Sequence, residues 1–282
     1  MKESMKAKIY GCRGSIPVSH TYCSRYGGNT SCMTVESKGK TLIIDAGSGL
    51  VIWEQEMKKC FPNYPKDLPN PPKILLSHLH LDHIVGLGIF APSWEKGLGM
   101  TIYTNSRDDR PLVEQVFGVF KPPYWPRDLA KLTGASCVEL KCGKPIQIDH
   151  FTVTPFIANH PDKTMSFHIT DGEKTVVHLL DSETEGLCEK MYDNLIKYCM
   201  NADLIVFDAA YSGEDYPKHV GWGHSTVEHG VDLAIKTNPR AMVFAHLSQT
   251  YTDDQLDAWG KHFTKAPNTY FVLAKDNAEL EL

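Results

Sequence analysis

Three histidines and an aspartate fall within six residues in Ser77-His78-Leu79-His80-Leu81-Asp82-His83. Imidazole nitrogen and ionised carboxylate are the donors that zinc and its neighbours accept, and such groups are costly to enclose unless something coordinates or neutralises them. Enclosure is expected here, because Ile74-Leu75-Leu76 precede the cluster and Ile84-Val85-Gly86-Leu87 follow it. Four donors in one turn exceed what a single open catalytic ion normally takes. The spacing therefore predicts two adjacent ions, with His78 and His80 on one and Asp82 and His83 on the other. The plain alternative is a surface turn capped by Asp82, but such a turn has no need of histidines on both sides of apolar Leu79 and Leu81.

More donors stand at the ends of apolar runs. Asp45 closes Leu42-Ile43-Ile44, Asp181 closes 176–180, Asp208 closes 203–207, His246 closes 241–245, and His160 lies in a loop after another apolar strand. One polar strand end is usually a turn residue, but with His78 there are six of one chemical type. Strand ends on one edge of a sheet converge, and sites in layered α/β proteins collect there. Two ions sharing a carboxylate would hold a bridging water, lower its pKa and clamp the oxygens of a substrate being split. The reaction class that follows is hydrolysis.

The elements that must position these groups read as follows. Short strands are expected at 6–10, 32–36, 41–44 and 74–76, and a helix at about 49–59 with Ser48 as N-cap and Leu50, Trp53 and Met57 on one face. The Gly-rich stretches Arg13-Gly14-Ser15 and Tyr26-Gly27-Gly28-Asn29-Thr30 suggest backbone lying close to the metal site or a ligand, or ordinary turns. Residues 61–72 form a Pro-rich loop. A Pro- and aromatic-rich insertion at about 91–135, with a strand at 100–104 and a helix at about 111–119, reads either as a wall or lid over a pocket or as a surface excursion. Strands follow at 136–140, 146–148, 151–156, 165–170 and 174–180, with a hairpin turn at Asp171-Gly172. The last third alternates: helices near 186–198 and 226–236 and one capped near Thr252-Asp253, with strands at 203–207, 241–245 and 269–274. This pattern predicts one α/β domain over 1–282, a sheet sandwich with helices outside. Strand alternation places His178 on the face opposite Asp181, so it is assigned a structural role, as are His150 and His168.

Composition narrows the class. With 282 residues, 42% of them hydrophobic, the chain can bury a large core. A net charge of −5 without a basic block argues against a nucleic-acid surface. Eight cysteines without a CxxC pair, no apolar leader in Met1–Tyr10 and no membrane-length apolar run point to reduced thiols in a cytoplasmic protein. Cys12 and Cys32 are read as buried, inert thiols.

Taken together, the His-x-His-x-Asp-His run followed by Gly86, and Leu42-Ile43-Ile44-Asp45-Ala46-Gly47 before it, resemble the metallo-β-lactamase-fold hydrolase superfamily. The resemblance runs from Asp45 to His246. It implies a four-layer αββα sandwich of two mixed β-sheets flanked by helices. It also implies His78, His80 and His160 on one metal, Asp82, His83 and His246 on the other, and Asp181 bridging. Asp45 matches a residue that orients the histidine loop, and Asp208 competes for the bridge, although Leu180-Asp181-Ser182 fits that motif better. Gly223-His224-Ser225-Thr226 opening a helix and His246-Leu247-Ser248 are similar to the phosphodiesterase branch, which includes tRNA 3′-processing endonucleases and cyclic phosphodiesterases. There the histidine matching His224 assists the leaving group or the phosphoryl oxygens, a role suited to a loop near a helix N-terminus. His224 and Asp82 form the expected catalytic pair.

The sequence departs from that branch in places. Only twenty residues separate His160 from Asp181, where the tRNA endonucleases carry a long RNA-gripping arm. The Cys-rich extra metal site of some cyclic phosphodiesterases is absent. His80 stands where the flavodiiron branch would have a glutamate. The expected activity is a dinuclear metal-dependent phosphodiesterase cleaving a small or cyclic phosphodiester or nucleotide through a metal-bridged hydroxide. The alternatives are a thioester, lactone or β-lactam hydrolase on the same metals, or a non-catalytic metal-holding module. The cofactors implied are two divalent ions, zinc first, with manganese or iron also fitting the N/O donors. A small phosphodiester is the expected partner; structured RNA and membrane are not expected, and homodimerisation is left open.

Overall fold

Neighbouring apolar residues of a strand point to opposite faces, and this alternation divides the interior into an inner and an outer core. The computed structural model describes residues 4–260 and 268–282; residues 1–3, the start of the stretch read for a leader, lie outside the described residues. The strands are β1 (Lys6–Gly11), β2 (Cys32–Ser37), β3 (Lys40–Ile44), β4 (Lys73–Leu75), β5 (Thr101–Thr104), β6 (Ser136–Glu139), β7 (Ile146–Ile148), β8 (Phe151–Ile157), β9 (Met165–Thr170), β10 (Thr175–Leu179), β11 (Leu204–Asp208), β12 (Ala241–Ala245), β13 (Tyr270–Leu273) and β14 (Ala278–Glu281). The helices are α1 (Gly49–Cys60), α2 (Leu81–Ile84), α3 (Ala91–Trp94), α4 (Leu112–Phe117), α5 (Leu129–Leu132), α6 (Glu189–Cys199), α7 (Val227–Thr237) and α8 (Asp253–Trp259).

Two mixed seven-stranded sheets result, ordered β14-β1-β2-β3-β4-β5-β6 and β13-β12-β11-β10-β9-β8-β7. Within them β3 to β6 run parallel, as do β10 to β13. Leu42, Ile44 and Leu75 of the first sheet meet Phe151, Val153 and Phe167 of the second in the core between the sheets. Their neighbours Ile43, Ile74 and Leu76 turn outward against Leu50 and Trp53 of α1 and Phe117 of α4. Helices α6 and α7 cover the far side of the second sheet through Leu195, Val231 and Ala234. The architecture is the αββα sandwich. Among the described residues no helix is long and apolar enough to cross a membrane.

Several local expectations are corrected. Ser48 precedes α1, but its hydroxyl donates to Asn29 Oδ1 and accepts the Thr30 N–H, so it does not cap the helix. The chain leaves the histidine run through the single turn α2, continued as a 3-10 turn at Val85–Gly88, where Gly86 N–H is drawn to Ala46 O at 2.9 Å. Parts of the segment 91–135 belong to the layers: β5 pairs with β4 and β6, and Phe117, Phe120 and Leu129 fill the outer core, while Tyr124 stays exposed. Trp125 packs edge-on against Phe120, with ring centroids 5.3 Å apart. These aromatics are the filling of the outer layer.

Candidate metal centre and active site

The parallel halves of both sheets end on the same edge, and there the polar strand ends meet. Asp45, Asp181 and His246 follow β3, β10 and β12 in the left-handed backbone region, with φ of 58°, 50° and 58°. A non-glycine residue pays strain in that region, and such residues concentrate at functional sites. The left-handed turn ends each ladder and swings the side chain over the sheet edge.

The donors form two groups about one carboxylate, and a third, Asp181, His224 and His246, overlaps both. His78, His80, His160 and Asp181 present donor atoms within 4.8 Å of one another, and so do Asp82, His83 and His246. Asp181 Oδ1 lies 3.7 Å from His78 Nε2 and 3.8 Å from His160 Nε2, while its Oδ2 lies 3.0 Å from His83 Nε2 and 3.4 Å from His246 Nε2. Each Asp181 oxygen thus faces a different group. Asp82 Oδ2 sits 3.1 Å from His246 Nε2 and accepts the Ser15 N–H at 2.7 Å.

Whether these residues fit a metal can be tested on the protein alone. His78 Nε2 is buried without a hydrogen-bond partner, an arrangement that native interiors avoid unless something else satisfies the atom. Separations of 3.7–3.8 Å are too long for hydrogen bonds. Two ligands on one tetrahedral ion at ordinary zinc distances stand about 3.4 Å apart, close to the spacings seen. The second ring nitrogens point away to fixed partners: His78 Nδ1 to Ser77 Oγ at 3.1 Å, His160 Nδ1 to Thr164 Oγ at 3.0 Å, His83 Nδ1 to Asp45 Oδ2 at 2.9 Å. Such outer contacts fix the tautomer that leaves Nε2 free. The site fits.

Asp45 orients the histidine run, accepting the Ser77 N–H at 2.8 Å as well as the His83 Nδ1–H. Asp208 has no oxygen to spare: Oδ1 accepts the N–H groups of Ala210 and Ser225, and Oδ2 accepts the Asp181 N–H at 3.0 Å and His224 Nδ1 at 2.9 Å. Asp181, not Asp208, lies between the donor groups. His224 is thereby held with its ring 4.9 Å from that of His246 and 5.7 Å from that of His160, flanking both groups.

Sequence reasoning misplaced or missed other residues. His178 reaches across the sandwich to within 3.6 Å of Asp45 Oδ2 because the chain leaves strand geometry before Asp181, but it joins none of the donor groups, in keeping with the structural role assigned to it. The Gly-rich hint at Arg13-Gly14-Ser15 is borne out: a Cβ on Gly14 would stand 2.2 Å from the His246 ring. Arg13, fully buried, anchors this loop through the carbonyls of Gly27, Ser248 and Tyr251. Glu183, a buried carboxylate two residues beyond Asp181, gave no sequence signal. Burial pushes the Cys12 and Cys32 thiols up, and neither joins a donor group.

The electrostatics ask for positive charge at the centre. Burial pulls His78 well below the usual imidazole range and His160 down to about 4, leaving both as neutral donors. Burial acts on His83 too, but Asp181, Asp82 and Asp45 outweigh it and hold that ring well above the usual range. At His246 burial is likewise outweighed, by Asp181, Asp82 and Asp208, and the pKa is raised to about 9. Burial alone would raise Asp82 and Asp181; the facing histidines hold both below the usual carboxylate range. Without a cation, protons on His83 and His246 supply the compensating charge.

An αββα sandwich with a His/Asp site able to hold metal at its open edge defines a hydrolase of the metallo-β-lactamase fold. The chain belongs to that superfamily: the Beta-lactamase superfamily domain matches residues 40–247. It is 25% identical over 260 residues to the Bacillus subtilis (strain 168) protein named "Probable metallo-hydrolase YhfI", covering 89% of this chain and 91% of that one. The crystal structure of the metallo-beta-lactamase fold protein YhfI from Bacillus subtilis superposes with a TM-score of 0.73 at 23% identity over the whole of both chains. Ribonuclease Z of Archaeoglobus fulgidus is 22% identical over 98% of this chain and 97% of its own length. A structure described as a new diphosphatase from the PhnP family superposes with a TM-score of 0.68 at 15% identity, covering 99% of this chain and 98% of that one.

Proposed function

We propose that this hydrolase is a phosphodiesterase that holds two divalent ions, one in each donor group, and cleaves a small or cyclic phosphodiester. The observation that carries this reading is His224, which flanks both donor groups on a buried carboxylate. When bound, the ions supply charge that acidifies a water and draws off the charge developing on phosphoryl oxygens. The chain supplies the rest. Asp208 takes the Nδ1–H of His224 and fixes the ring. Burial lowers the His224 pKa, but Asp208 outweighs it and raises the ring above the usual range, which favours the protonated form that general acid catalysis at a leaving oxygen needs.

The names of the ribonuclease Z and diphosphatase relatives support phosphoryl chemistry. A structured RNA suits this chain less well. The interval from His160 to Asp181 is taken up by β9, the Asp171-Gly172 turn and β10, all paired within the sheet. Eight unpaired cysteines support a reducing compartment.

The test is turnover of bis(p-nitrophenyl) phosphate and cyclic nucleotides by metal-reconstituted protein, beside thioester and lactone substrates. His224→Ala should lower phosphodiester turnover by about 10²–10⁴-fold while elemental analysis shows both ions retained. Thioester or lactone hydrolysis without phosphodiester cleavage refutes the reading, as does undiminished turnover in the variant.

A further inference from the structure

The loop between β11 and α7 carries three rings beside His224 that no step above uses. Tyr211 and His219 stack with centroids 4.0 Å apart and planes at 10°. Trp222 stands edge-on to both, 4.8 Å from His219 and 6.5 Å from Tyr211. Tyr211 in turn lies 5.8 Å from His224. The rings therefore begin where the phosphoryl site ends.

The indole of Trp222 is 58% exposed, yet the loop around it is tightly built. Glu183, 4% exposed, accepts the N–H of Gly221 at 2.9 Å, the N–H of Gly223 at 3.1 Å and the Tyr216 hydroxyl at 2.6 Å. Trp222 N–H bonds His219 O at 3.1 Å. The glycines on either side have φ of 84° and 88°, a conformation that only glycine takes without strain. A Cβ on Gly223 would also stand 2.2 Å from His160, so the indole's position is tied to the donor group itself. A buried carboxylate with these donors fixes an aromatic face in solvent beside the reacting centre, where it contributes nothing to the core.

We infer that Trp222, with the stacked Tyr211–His219 pair behind it, is a stacking subsite for a nucleobase, so that the preferred substrates are nucleoside phosphodiesters. This rests on the phosphodiesterase reading and names the group that the site takes beyond the phosphorus. A base stacked on an aromatic side chain gains about 10- to 100-fold in affinity, with little preference among bases because each has a π-face. Phosphate recognition stays with His224 and the ions; Trp222 discriminates nucleoside from bare sugar.

The experiment compares adenosine 5′-monophosphate with ribose 5-phosphate on zinc-loaded protein, by calorimetry and tryptophan fluorescence. The wild-type chain should bind the nucleotide about 10- to 100-fold more tightly and show quenching that ribose 5-phosphate does not produce. Trp222→Leu should collapse the ratio of the two affinities and abolish the quenching, and Trp222→Phe should recover part of the ratio. Equal affinity for the two ligands in the wild-type chain overturns the inference. So does a Trp222→Leu variant that weakens both ligands equally, or one whose only change is in sedimentation, which would assign the indole to contact between copies. Binding is read without turnover, so the two readings can fail separately. A nucleotide preference lost in Trp222→Leu, without phosphodiester cleavage, refutes the activity alone; cleavage without nucleotide preference refutes the subsite alone.

Discussion

Gly14→Ala is the smallest change that should empty one donor group and spare the other. The added Cβ would stand 2.2 Å from Cε1, 2.3 Å from Nδ1 and 2.7 Å from Nε2 of His246. Ordinary carbon contacts begin near 3.5 Å, so the ring must move by about 1 Å, whereas a metal–ligand distance tolerates about 0.2 Å. Retreat is blocked on both sides. Asp82 Oδ2 and His83 Nε2 lie 3.1 and 3.4 Å from His246 Nε2, and Gly14 N–H is tied to Leu247 O at 3.1 Å. The strain should cost about 1–3 kcal/mol. On the two-ion reading proposed above, elemental analysis after dialysis should find about one ion fewer than in the wild-type protein, and phosphodiester turnover should fall by about 100-fold or more. Gly223→Ala aims the same push at His160 and should deplete the other group. Full two-ion occupancy with wild-type turnover in Gly14→Ala would refute the assignment of His246.

Two further outcomes follow from the same geometry. Asp45→Asn turns one acceptor toward Ser77 or His83 into a donor and should lower metal affinity about 10- to 100-fold, measured by competition with a chelator; unchanged affinity would exclude the orienting role. Chelator-treated protein should be most stable near pH 6.5. His246, raised to about 9, contributes stability that is complete below the unfolded imidazole value and lost as pH rises through about 9, on the order of 3 kcal/mol or roughly 5 °C in Tm. His160 and His178, lowered to about 4, bind protons in the unfolded chain first, so stability also falls as pH drops from 6.5 toward 4. A thermal-denaturation profile rising from pH 6.5 to 9 would contradict this charge assignment.

The residues that converge in the candidate donor groups stood out in the sequence because each sits at the break between an apolar run and a polar turn, a local signal. His160 and His246 could be recognised without knowing what they face. Residues that act through long-range contact were not legible. Glu183 looks like any acidic loop residue until Gly221 and Gly223 fold back onto it. His178 was placed by a two-residue period that no longer applied at Asp181. In the run at 91–135 the strand at 100–104 was legible, but its place between β4 and β6 was not, because the partners of a four-residue strand are fixed by pairing far along the chain. Asp208 and Asp181 both close apolar strands; the motif around Asp181 favoured it for the bridging place, and the donors that occupy both oxygens of Asp208 agree.

The ownership of the donors has a mechanical consequence. His78 and His80 belong to the first sheet, and His160 and Asp181, which complete their group, belong to the second. The other group divides the same way, with Asp82 and His83 on one side and His246 on the other. Any ion bound in either group is therefore a rivet through both leaves of the sandwich. Across the described open edge Met165 N–H to Ser77 O, at 3.0 Å, already joins the leaves by backbone. Shearing one sheet past the other by a single residue step would break that bond and both groups at once. A centre holding ions would thus also fasten the two leaves in register.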